Sequence, residues 1–204
     1  CYLLIRLGVA LRALALALDQ VAGDVRWLAS GPRAGLGELL LPANEPGSSI
    51  MPGKTNPTQA EALQLVCARV VGNDATAAFA SAGPQPQLHL GRPVIAYAVL
   101  ESLSLLADAC RSFERNCVRG IRVDRERLAA QVAADLMVAT ALTPRIGYAA
   151  TARIVQAAVA GDLTLRDAAL ATGGLDAATF DHLTDPAALA SVASPARIPS
   201  TTRG

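Results

Sequence analysis

A regular apolar pattern runs through residues 2–28, YLLIRLGVALRALALALDQVAGDVRWL. Its large aliphatic residues recur at alternating spacings of three and four positions: Leu4, Leu7, Leu11, Leu14, Leu18, Val21, Val25 and Leu28. This spacing draws one apolar stripe along a helix and is typical of a helix packed against nearly parallel neighbours. We therefore predict a long first helix within a helical bundle.

The same pattern predicts two more long helices, at 57–82 and 93–120. Their stripes are Leu63, Val66, Val70, Asn73, Ala77 and Ala80 in the second, and Val99, Ser102, Leu106, Ala109 and Phe113 in the third. Asn56 is expected to be the N-cap of the second helix, with Pro57 at its first position and Gln59 reaching back as a capping-box partner.

A long loop rich in glycine and proline separates the first two helices, and we assign it to residues 30–56. It holds nine glycines and prolines between positions 30 and 54, a density that argues against regular structure. A connection of this length is unusual inside a compact domain and is more often functional. We expect the long loop to carry function.

After residue 120 the helical segments become shorter. Thr164, followed by Asp167, and Asp176 are typical helix starts. No run of alternating apolar and polar residues indicates a strand. We predict an all-α fold in three parts: a central helical-bundle portion at 1–120 that includes the long loop, a small C-terminal helical domain at 121–193 and a disordered tail at 194–204.

Composition excludes several classes of protein. The 18 Lys+Arg and 17 Asp+Glu leave a net charge of only +1, too small to attract nucleic acid. The 52% of hydrophobic residues excludes a wholly disordered chain. Arg6 and Arg12 interrupt the most apolar stretch, at 2–18, so we predict neither a membrane span nor a signal peptide.

The first residue and the cysteines carry two further expectations. The chain starts at Cys1 with an apolar pattern already under way, which favours the later part of a longer protein. Its four cysteines form no CxxC pair and no cluster with His89 or His182, so we predict no metal site. Reduced thiols fit a cytoplasmic protein.

Chemistry-bearing side chains concentrate at 47–57, GSSIMPGKTNP, just before the second helix. A helix N-terminus offers free N–H groups and a partial positive charge, Lys54 adds a full charge, and Asn56 adds an amide. This constellation suits an anionic ligand. The alternative is a flexible linker in which Asn56 only caps the helix and Lys54 is solvated.

The segment 47–57 resembles the signature of the fumarase/aspartase superfamily. Flanking sequences are similar to its class II fumarase branch: DVRWLASGPR at 24–33, NEP at 44–46, PTQAEA at 57–62, GND at 72–74 and LADACRSF at 106–113. The resemblance covers nearly the whole chain from Asp24 onward and corresponds to the C-terminal portion of a family member.

This resemblance implies a cytoplasmic hydro-lyase of the tricarboxylic acid cycle that interconverts fumarate and malate. It implies a small dicarboxylate substrate, no metal or organic cofactor, and no nucleic acid or membrane as a partner. It also implies a homotetramer with active sites shared between subunits, whose catalytic histidine belongs to the portion that this chain does not match.

The resemblance assigns roles to six residues: Ser48 and Glu61 as catalytic, and Ser49, Lys54, Thr55 and Asn56 as substrate-binding. Ser48 matches the general base, on a mobile loop that closes over the substrate. In the implied β-elimination Ser48 removes a proton from the carbon next to a carboxylate. Lys54 and Asn56 then stabilise the resulting aci-carboxylate.

One stretch departs from the family pattern. At 84–93, PQPQLHLGRP carries two added prolines, which we expect to kink a helix near the site, and His89 stands where the family usually has asparagine. Two alternatives stay open: another superfamily lyase such as an aspartase, or a non-catalytic helical remnant. In either case the broad apolar stripes predict association between chains.

Overall fold

The computed structural model describes residues 2–82, 89–172 and 174–192, and this part is helical as predicted. Three long helices come first: α1 (Tyr2–Leu28), α2 (Thr58–Ala80) and α3 (Arg92–Asn116). Shorter ones follow: α4 (Arg125–Ala134), α5 (Thr143–Ile146), α6 (Tyr148–Gly161), α7 (Leu165–Ala171), α8 (Ala177–Leu183) and α9 (Pro186–Val192). Two 3₁₀ turns occur at Val118–Gly120 and Leu136–Leu142.

The chain divides into two compact units, Cys1–Arg125 and Glu126–Gly204. The first unit contains the three long helices. The second contains the short ones, including α4 except for its first residue, Arg125. The predicted tail at 194–204 and the first half of the proline-containing stretch, at 84–88, lie outside the described residues.

Only half of the α1 stripe packs inside the first unit. The residues that contact the core lie seven apart: Leu4, Leu11, Leu18 and Val25. The large residues of the other half, Leu7, Leu14 and Val21, are 39%, 48% and 49% exposed. The stripe read from the sequence therefore belongs to two faces of the helix, and only one of them is covered within the described residues.

The predicted stripes of α2 and α3 form the rest of this core. Leu63 of α2 is fully buried, and Val70 is nearly so. From α3, Val99, Leu106 and Phe113 are buried against them. Burial of these side chains removes apolar surface from water and holds the three helices together.

A polar cluster joins α2 to α3 beside that core. Asn73, which is buried, donates from Nδ2 to Glu101 Oε2 at 2.7 Å and to Ser102 Oγ at 3.1 Å. Arg69 donates to the same Glu101 oxygen from Nε at 3.0 Å and from Nη2 at 2.9 Å. The pKa of the Glu101 carboxyl is lowered, most by the hydrogen bond from Asn73 and next by that from Arg69.

Two strands of two residues each were not predicted. β1 (Leu39–Leu40) lies in the long loop and pairs antiparallel with β2 (Arg122–Val123), after α3. The amide of Asp124 also donates to the carbonyl of Glu38 at 2.9 Å. Strands this short show no alternating pattern, so the sequence carried no signal for them. They fix the first half of the long loop to the end of the bundle.

One helix of the described part, at 92–120, is long and apolar enough to cross a membrane by length and composition alone, with a mean hydropathy of 1.5 over its best window. No membrane span was predicted here, because a span was expected to be free of charged residues, and Glu101 and Asp108 interrupt this segment. Ile95, Val99 and Leu106 of this helix are buried in the bundle. Core helices of this kind pass the same test.

The second unit has a core of its own, formed by Ala139, Leu142, Ile154, Ala158, Leu165, Ala168, Ala169 and Phe180. Two predicted helix starts are confirmed here. Thr164 Oγ1 accepts from the amide of Asp167 at 3.1 Å, and Asp176 Oδ1 accepts from the amide of Thr179 at 2.8 Å. A third cap, Asp135 at the start of the second 3₁₀ turn, was not predicted.

The described cysteines differ in reactivity. Cys67 is only 2% exposed, and burial, with smaller contributions from Asp19 and Cys110, raises the pKa of its thiol to about 11. Because the thiolate is the reactive form, we expect iodoacetamide at neutral pH to modify the half-buried Cys110 well before Cys67 in the folded chain. Peptide mass spectrometry would measure both rates. In denaturant the rates should converge, and equal rates in the folded chain would contradict the prediction.

Candidate functional site

The second half of the long loop folds back on itself at residues 46–55, here called the signature loop. Pro46 and Thr55 form an antiparallel bridge at its base, and the amide of Gly47 donates to the carbonyl of Lys54 at 2.7 Å. At its tip the amide of Lys54 donates to the carbonyl of Met51 at 3.2 Å. Gly53 occupies the turn with φ +78°, a conformation that costs glycine little.

Ser48 lies inside the signature loop and receives two backbone hydrogen bonds. Its Oγ accepts from the amide of Ile50 at 3.1 Å and from the amide of Met51 at 3.2 Å. Two N–H dipoles that converge on one oxygen stabilise negative charge there. Both donors lie within three residues of Ser48, so they hold its side chain inside the loop.

Asn56 packs directly against Gly47. A Cβ atom placed on Gly47 would lie 2.6 Å from Asn56 Oδ1 and 2.9 Å from the Asn56 backbone nitrogen. Real side chains do not approach this closely, so this position needs glycine for space rather than for its φ angle. Because Ser48 follows Gly47 directly, this contact also places Ser48 near the start of α2.

The start of α2 differs from the prediction. The helix begins at Thr58, its N-cap is Pro57, and no side chain caps it. Asn56 instead packs against Gly47, and Gln59 bonds to Ser112 of α3 rather than reaching back as a capping-box partner. The prediction of Asn56 as N-cap was wrong, because the helix begins two residues later, at Thr58. Gln59 is not a capping-box partner, because its side chain accepts from Ser112, 53 residues away.

Glu61 lies in the first turn of α2 and is bound by α1. Its Oε1 is 3.3 Å from Arg26 Nη2, and Arg26 Nη1 donates to Gln64 Oε1 at 2.6 Å. The carboxylate is 34% exposed. Arg26 therefore connects the last turn of α1 to the side of α2 that follows the signature loop.

Of the six residues assigned by resemblance, five lie together in or beside the signature loop: Ser48, Ser49, Lys54, Thr55 and Asn56. Ser49, Lys54 and Thr55 are exposed, whereas Ser48 and Asn56 are half-buried. Glu61 follows on α2 with Arg26 as its partner. The loop also exposes Ile50, which is 86% accessible to solvent.

A hydrogen-bond chain behind the loop was not predicted from the sequence. Ser112 Oγ donates to Gln59 Oε1 at 2.7 Å and accepts from Asn116 Nδ2 at 3.2 Å. The carbonyl of Asn116 accepts from Asn44 Nδ2 at 3.1 Å. Ser112 and Gln59 lie 53 residues apart in the sequence, and Asn44 and Asn116 lie 72 apart. No local sequence pattern could reveal these two bonds.

His89 stands apart from this arrangement. It precedes α3, and its carbonyl accepts from the amide of Arg92 at 3.3 Å. Its Nδ1 is buried, with no hydrogen-bond partner among the described residues. Nothing in these contacts connects His89 to the signature loop.

Two parts of the chain match models of known protein families. Residues 3–72 match the family model described as "Lyase", and residues 138–191 match "Fumarase C C-terminus". The fumarate hydratase class II of Parasynechococcus marenigrum is 53% identical over 188 residues, which cover 92% of this chain and 40% of that protein. That of Bacillus cereus is 55% identical over 177 residues, covering 87% of this chain and 38% of that protein.

Solved structures give the same result. The class II fumarase of Schistosoma mansoni superposes with a TM-score of 0.84 at 42% sequence identity, covering 90% of this chain and 38% of that one. The chain thus spans about 40% of the length of the curated relatives that it matches.

Proposed function

We propose, from the premise that the chain belongs to the class II fumarase family of the fumarase/aspartase superfamily, that it supplies the signature-loop part of a fumarate hydratase. The reaction is the reversible addition of water across the double bond of fumarate to give malate. The observation that carries the proposal is the pair of amides, from Ile50 and Met51, that converge on the Ser48 hydroxyl.

Ser48 is the proposed base in the malate-to-fumarate direction. Removal of a proton from the carbon next to a carboxylate leaves an electron pair that spreads into that carboxylate, which becomes a doubly charged aci-carboxylate. A serine hydroxyl is a weak base at its ordinary pKa. The two amide donors stabilise the alkoxide form of Ser48, and exclusion of water when the loop is covered would strengthen both bonds.

Lys54 and Asn56 are proposed to stabilise the aci-carboxylate. Lys54 offers a full positive charge, and Asn56 offers an amide next to the start of α2, where unpaired backbone N–H groups add a partial positive charge. Ser49 and Thr55 add hydroxyl donors within the same loop. Charge stabilisation of this kind at the developing oxyanion is the largest contribution in many enzymes.

The acid that protonates the leaving hydroxyl group is proposed to lie outside this chain. The electron pair of the aci-carboxylate re-forms the double bond and expels the hydroxyl group, which must take up a proton to leave as water. Glu61 is bound to Arg26, which ties it to α1. We therefore give Glu61 the role of keeping the start of α2 in place against α1, in addition to the catalytic role that the resemblance implies.

The assembly is proposed to be a homotetramer that shares its sites between subunits. Support comes from the uncovered apolar face of α1, at Leu7, Leu14 and Val21, and from further large apolar residues on the long helices. These include Leu65 at 74% and Phe79 at 84% exposure on α2. Apolar patches of this extent mark contact surfaces between chains.

We expect the chain to sediment as an oligomer rather than as a monomer. Leu14→Glu should shift it toward the monomer, because a charge on an apolar contact surface is costly to bury. The matched control is Leu163→Glu in the second unit, where the leucine is 45% exposed against 48% for Leu14. Sedimentation velocity measures the oligomeric state of all three proteins. A monodisperse monomer of the unchanged chain would contradict the prediction.

The cytoplasm is proposed as the compartment of this enzyme. Cys67, Cys110 and Cys117 are free thiols in the described part of the chain. Thiols persist in reducing compartments, whereas disulfides form in oxidising ones. The balanced charge of the chain is consistent with a partner that is a small molecule rather than nucleic acid.

Fumarate hydration tests the proposed function. We define the extended protein as this chain joined behind the portion of the Bacillus cereus relative that it does not cover. Loss of the ultraviolet absorbance of fumarate should be seen with the extended protein and not with the 204-residue chain. The difference is expected because the chain supplies the proposed base but not the proposed acid.

Two other results would overturn this assignment. Release of ammonia from aspartate by the extended protein, without hydration of fumarate, would favour an aspartase. An extended protein that folds and assembles but turns over neither substrate would favour a non-catalytic remnant. Circular dichroism and sedimentation of the same sample establish folding and assembly before either conclusion is drawn.

A further inference from the structure

We propose that Arg26 is a positioning residue, which holds the Glu61 carboxylate by one oxygen and leaves the other oxygen free for catalysis. Arg26 lies in the last turn of α1, and Glu61 lies in the first turn of α2, on the other side of the long loop. The inference rests on the proposed function for the catalytic role of Glu61, and on contacts within this chain for the role of Arg26.

The Arg26 guanidinium contacts two side chains of α2 at once. Its Nη1 donates to Gln64 Oε1 at 2.6 Å, and its Nη2 donates to Glu61 Oε1 at 3.3 Å. Glu61 and Gln64 are three residues apart on α2, so they are neighbours on one face of that helix. A planar guanidinium with its donors in a fixed fork suits two such acceptors, whereas a single ammonium group does not.

Gln64 fixes the direction of this guanidinium. Its Oε1 accepts from Arg26, and its Nε2 donates to the backbone carbonyl of Asp19 on α1 at 3.4 Å. The Gln64 amide therefore joins two points of α1, and it determines where Nη1 of Arg26 lies. Because the guanidinium is planar and rigid, Nη2, the atom that binds Glu61, is then oriented as well.

The Glu61 side chain has no other anchor in the described part of the chain. Its Oε1 is bound by Arg26, and its Oε2 has no hydrogen bond or ion pair with any described residue. A glutamate side chain without a partner samples several rotamers, and ordering it costs conformational entropy. The bond from Arg26 restricts the carboxylate in advance and leaves Oε2 available to the reaction.

We expect this contact to act on the direction of the carboxylate rather than on stability. The Arg26 and Glu61 side chains are 43% and 34% exposed, and ion pairs this exposed contribute little to the free energy of unfolding. A catalytic group, however, must be held within about 0.5 Å of its productive position. No hydrogen bond or ion pair between described residues joins Arg26 to the signature loop, so substrate binding there should not depend on it.

The first arm of the test is a double-mutant cycle in the extended protein. Arg26→Met keeps most of the aliphatic stem and removes both donors. It should lower kcat for fumarate hydration about tenfold and change KM less than about twofold. In a protein that already carries Glu61→Ala, the same change should lower kcat less than about twofold, because no carboxylate remains to be positioned. A merely structural role would lower kcat equally in both proteins.

Two further variants accompany the cycle. Arg69→Met is the matched control, since it removes another ion pair between bundle helices, to Glu101 at 2.9 Å, and should leave kcat unchanged. Gln64→Leu keeps Arg26 and Glu61 but removes the bond that orients the guanidinium. It should lower kcat about threefold, again only where Glu61 is present, and it replaces Arg26→Met in the cycle if circular dichroism shows that Arg26→Met does not fold.

The second arm does not depend on activity. Crystal structures of the extended protein and of its Arg26→Met variant locate the Glu61 carboxylate directly. We expect a single Glu61 rotamer bound to Arg26 in the first structure. In the second we expect the carboxylate to be displaced or to occupy several rotamers.

The outcomes separate this inference from the proposed function. An extended protein without fumarate hydration overturns the proposed function, while the two crystal structures still decide whether Arg26 positions Glu61. A displaced carboxylate, with a loss of kcat that depends on Glu61, supports the positioning role. A Glu61 carboxylate that stays in place without Arg26 overturns it. So does an active extended protein whose kcat is unaffected by Arg26→Met or by Glu61→Ala.

Discussion

Replacement of Ser48 by alanine should lower the kcat of the extended protein about a thousandfold, within the range that a general base contributes. The variant removes the hydroxyl oxygen on which the amides of Ile50 and Met51 converge. Because a base acts only as the transition state forms, kcat and kcat/KM should fall together while KM stays nearly constant. Initial rates of fumarate hydration over a range of substrate concentrations provide all three quantities.

A second variant separates chemistry from loop structure. Alanine at position 48 also deletes two hydrogen bonds that shape the loop, so the loop itself could change. Ser48→Asn keeps an acceptor for these amides, since asparagine forms the same type of turn, but it has no hydroxyl to act as a base. Both variants should be equally impaired. A Ser48→Asn protein with near-normal activity would show that the serine only shapes the loop.

The apolar periodicity of α1 shows how far a sequence pattern reaches. It correctly predicted a long helix in a bundle, because a spacing of three and four follows from helix geometry alone. It did not distinguish Leu11, buried at 7% exposure, from Leu14, which is 48% exposed. Both positions are apolar for different reasons: one faces the chain's own helices, and the other faces the surface that we propose to contact another chain.

The long loop illustrates the opposite case. Its glycines and prolines predicted a loop of the right length, because these residues disfavour helix through local conformation. Its shape depends on pairs that are distant in sequence, such as Leu39 with Val123 and Asn44 with Asn116. No local rule carries that information, so both the strand pair and the hydrogen-bond chain could be found only in three dimensions.

The candidate site divides in the same way. Residue types at 47–57 predict a site for an anion, and this stays a prediction. Ser48 and Lys54 lie in the segment closed by the bridge, and Asn56 directly follows it. The capping role assigned to Asn56 failed because the helix begins at Thr58 with Pro57 as its N-cap, while Asn56 packs closely against Gly47, nine residues earlier. Local propensity describes what a residue can do, whereas the tertiary contact decides what it does.

That contact makes Gly47 the second position where we expect a large effect. In the extended protein, Gly47→Ala should lower kcat/KM about a hundredfold, the cost of a displacement of about 1 Å in a catalytic arrangement. The added Cβ would lie 2.6 Å from Asn56 Oδ1 and 2.9 Å from the Asn56 backbone nitrogen. A rotation of the asparagine side chain relieves the first clash but not the second.

Relief of the backbone clash requires the two ends of the signature loop to separate. Asn56 cannot retreat easily, because Pro57 and α2 follow it directly. The bond from the Gly47 amide to the Lys54 carbonyl, 2.7 Å long, would then stretch, which changes the position of Lys54 relative to Asn56. Since both are proposed to hold the substrate carboxylate, KM should rise as kcat falls, unlike the pattern expected for Ser48→Ala.

The matched control is Gly174→Ala in the second unit, an exposed glycine whose added Cβ meets no atom within 4 Å. Alanine there should leave activity unchanged. The activity of Gly53→Ala should lie between those of Gly47→Ala and the control. Its added Cβ would also find open space, but its φ of +78° disfavours alanine. If Gly47→Ala retained the activity of Gly174→Ala, the close packing of Gly47 against Asn56 would have no part in catalysis, and the arrangement of the signature loop would have to be reconsidered.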